Sequence, residues 1–350
     1  MQDFHRLVDT VQRNCDISDA RFGREVTLCT YLLEMRELYC WENELPLTAL
    51  PPKDDLGQWL TRRESHWNDL EDEEFEPLPV AGHRLDPFDA PAVNAELIPH
   101  GYLYGGGYGR FHRPQFFLGQ LVRCETRGGL DVLVAGCEYA RGLSAPPAAL
   151  QQRAVYLRQD ALRRWLWEKV ELWGTRRQDG ALKSALDCHG FEADPVGALE
   201  RMTEAETESM ILHELGEGDA DALLGPAWKD MLSSFKGKRA EVLARAVRDN
   251  LADCLSTLPE LVGRGAHCSL HFYFANFEGM RRHLFPRAMG SYRDWRQTGD
   301  AAVLLDAAAD GRGHWQRAAE RLLDIHRTEG PRAESAIEAL FDKAPASLSL

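Results

Sequence analysis

No two of the eight cysteines form a Cys-x-x-Cys pair, so neither a zinc ribbon nor a thioredoxin-like redox motif has support. The even count fits full disulfide pairing, but a chain of 350 residues builds a core without staples. No apolar run approaches the roughly 18 residues that a membrane span needs. The opening Met1-Gln2-Asp3-Phe4-His5-Arg6 lacks the basic-then-apolar pattern of a signal peptide. Positive charge is also short, with 41 Lys and Arg against 55 Asp and Glu. The resulting net charge of −14 opposes broad binding to phosphate backbones or anionic lipid. No repeat of fixed period is present, which argues against a solenoid. These absences lead to the expectation of a cytoplasmic protein with reduced cysteines. Neither nucleic acid nor membrane is expected as a partner, which leaves a small molecule or another protein.

What is present is ordinary globular composition, 44% hydrophobic and 27% charged. The length exceeds what one usual core supports, so two domains are expected, over 1–158 and 159–350. Their boundary falls between 151 and 180. In the first part, Val26, Cys29, Leu32, Leu33, Leu38 and Tyr39 give an apolar stripe that predicts a helix over 24–44, ended by Pro46 and Pro51-Pro52. A second helix is predicted from Asp54 or Asp55 to about Leu70, carrying Leu56, Trp59, Leu60 and Trp67. The acidic run Glu71-Asp72-Glu73-Glu74 reads as a solvated loop.

Between Pro77 and Pro147 helical periodicity gives way to prolines, glycines and short aromatic or β-branched runs. Residues 115–124 and 130–137 read as antiparallel strands joined by the Thr126-Arg127-Gly128-Gly129 turn. Residues 101–104 and 154–157 are further strand candidates. Helix resumes over 160–173, and everything from Ala181 onward is expected to be helical. Asp194-Pro195 is a helix start, and Thr203-Glu204-Ala205-Glu206 is a capping box expected to open the helix that carries His213. A long helix over 238–258 is expected to end at Pro259. Further helices are predicted over 276–284, 300–309, 314–326 and 333–341. The fold class expected is α+β, mainly α: N-terminal helices plus a small antiparallel sheet, then a C-terminal helical domain.

The residues best suited to chemistry lie in that helical half. His213-Glu214-Leu215-Gly216-Glu217 sets an imidazole and a carboxylate four apart, and Asp249 and Asp253 share the same spacing. Residues four apart share a helix face, so each pair can offer two ligands to one cation. The di-iron signature of helical bundles is not matched, because no glutamate stands three before His213. His213 and Glu217 with Asp253 and His271 make a ligand set of oxygen and imidazole, which favours iron, manganese or zinc. Glu214 or Asp249 would then act as general base. The same residues also fit an interior histidine and aspartates paired with Arg245 and Arg248.

A second cluster is Tyr104-Gly105-Gly106-Gly107-Tyr108-Gly109-Arg110, with Arg113 close behind. Free N–H groups at Gly106 and Gly107, with Arg110 and Arg113, would suit an anion. It is neither a P-loop nor a dinucleotide fingerprint, and a glycine-rich loop between two strands explains it equally. Cys254 falls on an apolar helix side, where cysteine is packing rather than nucleophile. The run His271-Phe272-Tyr273-Phe274-Ala275-Asn276 fits a strand, or a helix entry capped by Asn276.

Five segments carry a resemblance: Asn14-Cys15-Asp16-Ile17, the run 31–37, His213-Glu214-x-Gly216-Glu217, the run 252–259 and the run 271–276. Together they resemble an uncharacterised bacterial family known only as a domain of unknown function, over nearly the whole chain to about Ala319. The resemblance implies a bacterial cytoplasmic protein and carries no activity, substrate or catalytic residue. The sequence therefore leaves two functional readings: a metal-dependent enzyme acting on a small molecule, or a non-catalytic binding or accessory protein that docks a protein partner.

Overall fold

The computed structural model describes residues 2–109, 112–176, 178–343 and 348–350. The chain divides into two units, Met1–Thr126 with Asp131–Lys169, and Arg127–Leu130 with Val170–Leu350. As expected, the fold is α+β and mainly α.

The first unit opens on α1 (Gln2–Phe22), α2 (Leu28–Glu42) and α3 (Lys53–Leu70). Thr27 caps α2 by accepting from the Thr30 N–H at 3.2 Å, which satisfies one orphan donor of the first turn. The predicted stripes bury their inner members: Met35 and Leu38 from α2 and Trp59, Trp67 and Leu70 from α3 form one core with Ile17 of α1. The helix α1 itself was not foreseen. Its buried positions include the polar Asn14, Asp16, Ser18 and Asp19, which break any apolar stripe.

A two-stranded antiparallel ribbon follows, β1 (Leu78–Val80) with β2 (His83–Leu85), then α4 (Ala90–Leu97). The larger sheet comprises β3 (Tyr102–Tyr108), β4 (Pro114–Arg127), β5 (Leu130–Arg141), β6 (Ala148–Gln151) and β7 (Ala154–Arg158), in the order β3-β4-β5-β7-β6. The expected hairpin turn is present, with Gly128 and Gly129 at φ of 56° and 78°, a backbone that glycine adopts without strain. The larger sheet is not wholly antiparallel, however. β7 pairs parallel to β5, because β6 intervenes at the edge and pairs antiparallel to β7.

The glycine run also departs from the expected loop. Gly105, Gly106 and Gly107 lie inside β3, in register with Phe117, Phe116 and Gln115 of β4. A Cβ on Gly106 would stand 2.2 Å from the Pro87 carbonyl oxygen. Close backbone approach, not turn geometry, explains that glycine.

The second unit begins within α5 (Gln159–Arg176), at Val170, and runs through α6 (Ala181–Cys188), α7 (Pro195–Leu224), α8 (Pro226–Ser234) and α9 (Lys238–Ala252). It continues with α10 (Leu258–Gly263), α11 (His267–Ala275), α12 (Gly279–Leu284), α13 (Pro286–Thr298), α14 (Ala302–Glu329) and α15 (Ala333–Lys343). Its core gathers Trp228, Leu243, Val247, Phe277, Phe285, Trp315 and Leu322 from several of these helices.

Three local expectations change here. Asp194 does cap a helix, accepting from the Gly197 N–H at 2.9 Å, but that helix runs unbroken past Thr203. Thr203 is buried and its hydroxyl donates to the Leu199 carbonyl at 2.7 Å, so the capping-box residues serve inside α7. The helix predicted over 238–258 instead passes into a π turn, Asp253–Thr257, with Pro259 in the first turn of α10. The run 271–276 is the end of α11, closed rather than opened by Asn276.

Cys188 and Cys268 form a disulfide, with Cα atoms 5.6 Å apart, which corrects the expectation of eight reduced cysteines. Their sequence separation of 80 residues hid the pair, because only the packing of α6 beside α11 brings them together. Among the described residues no helix is long and apolar enough to cross a membrane.

Candidate functional site

The site is built where α7 meets the end of α9. On α7, His213 and Glu217 lie one turn apart; on α9, Arg248 and Asp249 face them; Asp253 opens the π turn. Two devices bring these elements close. Gly216 has no side chain to interpose, and a Cβ there would meet the Ala252 carbonyl oxygen at 2.5 Å. Ser256 then ties the π turn to α7 by donating to the Leu212 carbonyl at 2.8 Å. The π turn bonds the Leu258 N–H to the Asp253 carbonyl, one residue wider than an α turn, and such turns are frequent at functional sites.

Each charged group has an opposite partner. His213 donates through Nδ1 to Asp253 Oδ1 at 2.8 Å, and its Nε2 lies 3.5 Å from Glu217 Oε1. Asp253, whose side chain is 0% exposed, also accepts from the Tyr273 hydroxyl at 2.8 Å and from the Arg281 guanidinium. Arg248 donates through Nη2 to Glu217 Oε1 at 2.6 Å and to Asp249 Oδ1 at 3.1 Å.

Burial and pairing set the protonation. Burial disfavours the imidazolium of His213, but the carboxylates of Asp253 and Glu217 outweigh it and hold the group well above its ordinary value. Burial likewise opposes the charge of Glu217, yet Arg248 and then His213 bring that carboxyl down to about 2. Asp253 also falls to about 2, its burial overcome by Arg281 and His213. Asp249 moves the other way, raised by burial and then by Glu217 against the pull of Arg248. Arg248 and Arg281 are both held above the ordinary guanidinium range, their burial outweighed by Glu217 and by Asp253 respectively.

Among the described residues one group of His, Cys, Asp and Glu has the spacing to hold a metal ion: His213, Glu217 and Asp249, whose ligand atoms all lie within 4.8 Å of one another. Of the residues expected as ligands, His213 and Glu217 stand in this group. Asp253 stands behind His213, against Nδ1. His271 lies elsewhere, hydrogen-bonded through Nδ1 to the Tyr292 hydroxyl at 2.9 Å and set against the Trp295 ring. Of the two expected bases, Asp249 stands among the three, while Glu214 is buried on α7 outside the group.

Arg245 pairs with Glu241 of its own helix at 2.7 Å rather than with either aspartate. Arg281 and Tyr273 went unnoticed in the sequence as partners of Asp253. The signal available was slight: an arginine pair at 281–282 and a tyrosine two residues after His271.

Gly106 and Gly107 lie in β3, Arg113 pairs with Glu25 at 2.9 Å, and Arg110 lies outside the described residues.

No curated protein matches this chain. No solved structure matches it either. The N-terminal domain of a family of unknown function, DUF6866, matches residues 6–158, and the C-terminal domain of the same family matches residues 163–344. With both domains matched in order and over most of its length, the chain belongs to the DUF6866 family of unknown function.

Proposed function

We propose that the second unit binds one divalent cation between Nε2 of His213 and the carboxylates of Glu217 and Asp249, and that the chain is a metal-dependent enzyme acting on a small polar molecule. The observation that carries this is the orientation of His213. Asp253 engages Nδ1, so Nε2 is the nitrogen left on the side of Glu217 and Asp249. A carboxylate behind the imidazole is what fixes the tautomer and ring plane of metal-bound histidines.

One nitrogen and two carboxylate donors suit iron, manganese or zinc. Three protein donors also leave coordination positions open for a substrate, unlike a closed four-ligand structural site. Arg248 contacts one oxygen of each carboxylate, Oε1 of Glu217 and Oδ1 of Asp249. A bound ion would supply Lewis-acid polarisation of a substrate oxygen. The protein's own part is to hold the donors: Asp253 orients His213, and Tyr273 and Arg281 orient Asp253.

Elemental analysis and calorimetric titration with manganese and zinc test this. One ion per chain is expected, with the affinity abolished in folded His213→Ala and Glu217→Gln. Protein purified without metal and showing no heat on titration would remove the proposal.

A second reading rests on charge balance. Glu217, Asp249 and Asp253 face Arg248, Arg281 and a protonated His213, so the cluster is neutral without an ion. In this reading it clamps α7 to α9, and the chain is a non-catalytic binding or accessory protein. Loss of stability in His213→Ala with no metal in the parent would favour it.

A further inference from the structure

The first unit contains a cavity of about 960 Å³ that the metal proposal does not use. It opens between α1, α2, α3, β5 and the start of α5, all parts of that one unit. Three aromatic residues stand in its wall: Trp41 and Tyr139, both half-buried, and the buried Trp59.

Some of its charge is already used. Arg63 pairs with Asp16 at 3.0 Å and with Glu42, and Glu42 also accepts from the Trp59 indole at 2.8 Å. Elsewhere the wall leaves two opposite groups with open positions. Arg164 has buried Nε and Nη1 atoms without a hydrogen-bond acceptor, and Oε2 of Glu37 lies 3.9 Å from Nη1. Glu138, whose side chain is fully buried, accepts from Arg158 through Oε1 at 2.5 Å, while its Oε2 lies 3.9 Å from Nε of the buried Arg141 and has no hydrogen-bond donor.

An arginine cannot shed its proton to escape burial, and a paired carboxylate keeps its charge, so the open positions call for an acceptor and a donor together. The exposed Asp9 and Glu44 also line the cavity and add negative potential. That potential weighs against a phosphate or any second anionic group and favours a cationic one.

We propose that this cavity binds a free α-amino acid with an aromatic or large apolar side chain. Its carboxylate would take the open N–H positions of Arg164, its ammonium would face Oε2 of Glu138, and its side chain would lie against Trp41 and Tyr139. Both charged groups of such a zwitterion sit close together, and Arg164 stands near enough to Glu138 to stabilise its carboxylate. A fork-like guanidinium is the side chain best matched to a carboxylate, and flat rings supply apolar contact at small entropic cost.

The test is calorimetric titration of the full-length protein with L-phenylalanine, L-phenylalaninamide and N-acetyl-L-phenylalanine. Saturable binding of phenylalanine is expected, with both capped forms weaker by about tenfold or more, because each loses one charge-assisted contact. Arg164→Gln is expected to lose the preference for the free acid over the amide. Trp41→Leu is expected to weaken all three probes alike. Thermal melts of both variants establish that they fold, and the equally neutral Arg164→Met replaces Arg164→Gln if the latter does not. Absence of saturable heat, equal binding of the amide and the acid, or an unchanged preference in the folded Arg164 variant overturns the proposal. Because the cavity lies in the first unit, these outcomes are independent of whether His213 holds a metal.

Discussion

His213 and Asp253 are 40 residues apart in sequence and meet through an Nδ1–H to Oδ1 hydrogen bond of 2.8 Å. The aspartate is the hub of the cluster, because it also serves Tyr273 and Arg281 and its side chain has no exposure to water. Asp253→Asn keeps the shape but removes the buried charge that balances a half-buried guanidinium and an imidazolium. Breaking a buried pair by neutralising one partner costs about 3–5 kcal/mol. Urea unfolding of the variant at neutral pH is expected to show a loss of that size; a loss below about 1 kcal/mol would mean that water reaches the cluster and screens it.

Gly216 makes that meeting possible, and its replacement tests how tightly α7 is held to α9. In an exposed helix interior, alanine is better than glycine by up to about 1 kcal/mol. Gly57 of α3 is such a position, exposed and with nothing within 4 Å of an added Cβ, so Gly57→Ala is expected to raise the melting temperature slightly. At Gly216 the added Cβ would meet the Ala252 carbonyl oxygen at 2.5 Å, and backbone cannot swing aside as a side chain can. Gly216→Ala is therefore expected to cost about 1–3 kcal/mol. A stabilised Gly216→Ala protein would show that the two helices are not in contact there.

Much of this arrangement was legible in the sequence, and what was not has identifiable causes. The stripes of α2 and α3 were readable because Leu38, Trp59 and Trp67 repeat at helical spacing and are buried as that spacing requires. The shared face of His213 and Glu217 was readable for the same reason. Which of Asp249 and Asp253 would stand beside them was not, because the π turn starting at Asp253 changes the helical phase, and no residue type announces such a turn. The glycines of β3 misled because a loop and a close backbone approach select the same residue; Pro87, which demands Gly106, is 19 positions away. Thr203 misled because Asp194 starts the helix earlier, and a good cap in mid-helix is simply absorbed.

The disulfide between Cys188 and Cys268 closes a long segment, its ends 80 positions apart in sequence. Cross-linking of that kind stabilises by about 2–4 kcal/mol, chiefly by restricting the unfolded chain. Reduction is expected to lower the melting temperature, and the double variant Cys188→Ser/Cys268→Ser is expected to match the reduced protein and to lose its response to reductant. Peptide mapping under non-reducing conditions locates the bond directly. A map showing both thiols free in protein purified without reductant would refute the pairing.

Glu206 gives a pH prediction away from the charged cluster. It is buried on α7, and burial pushes its carboxyl up to about 8, only partly offset by hydrogen bonds from Ser269 and Ser209. The folded chain therefore keeps this proton up to about 8, whereas the unfolded chain releases it near the ordinary value of 4.5. An acid raised in the folded state gives its full stability below the unfolded value and loses it as pH rises through the folded one. Between pH 4.5 and about 8 the unfolded state is thus favoured progressively, by a few kcal/mol in all, and above that the loss is complete. Glu206→Gln, which is neutral at every pH, is expected to be close to the parent near pH 4.5 and more stable than it by a growing margin up to pH 8, levelling beyond. Denaturant melts of both proteins across that range measure the margin. A margin that stays constant with pH would place the Glu206 carboxylate in water, or beside a cation, rather than in the apolar interior of the helical unit.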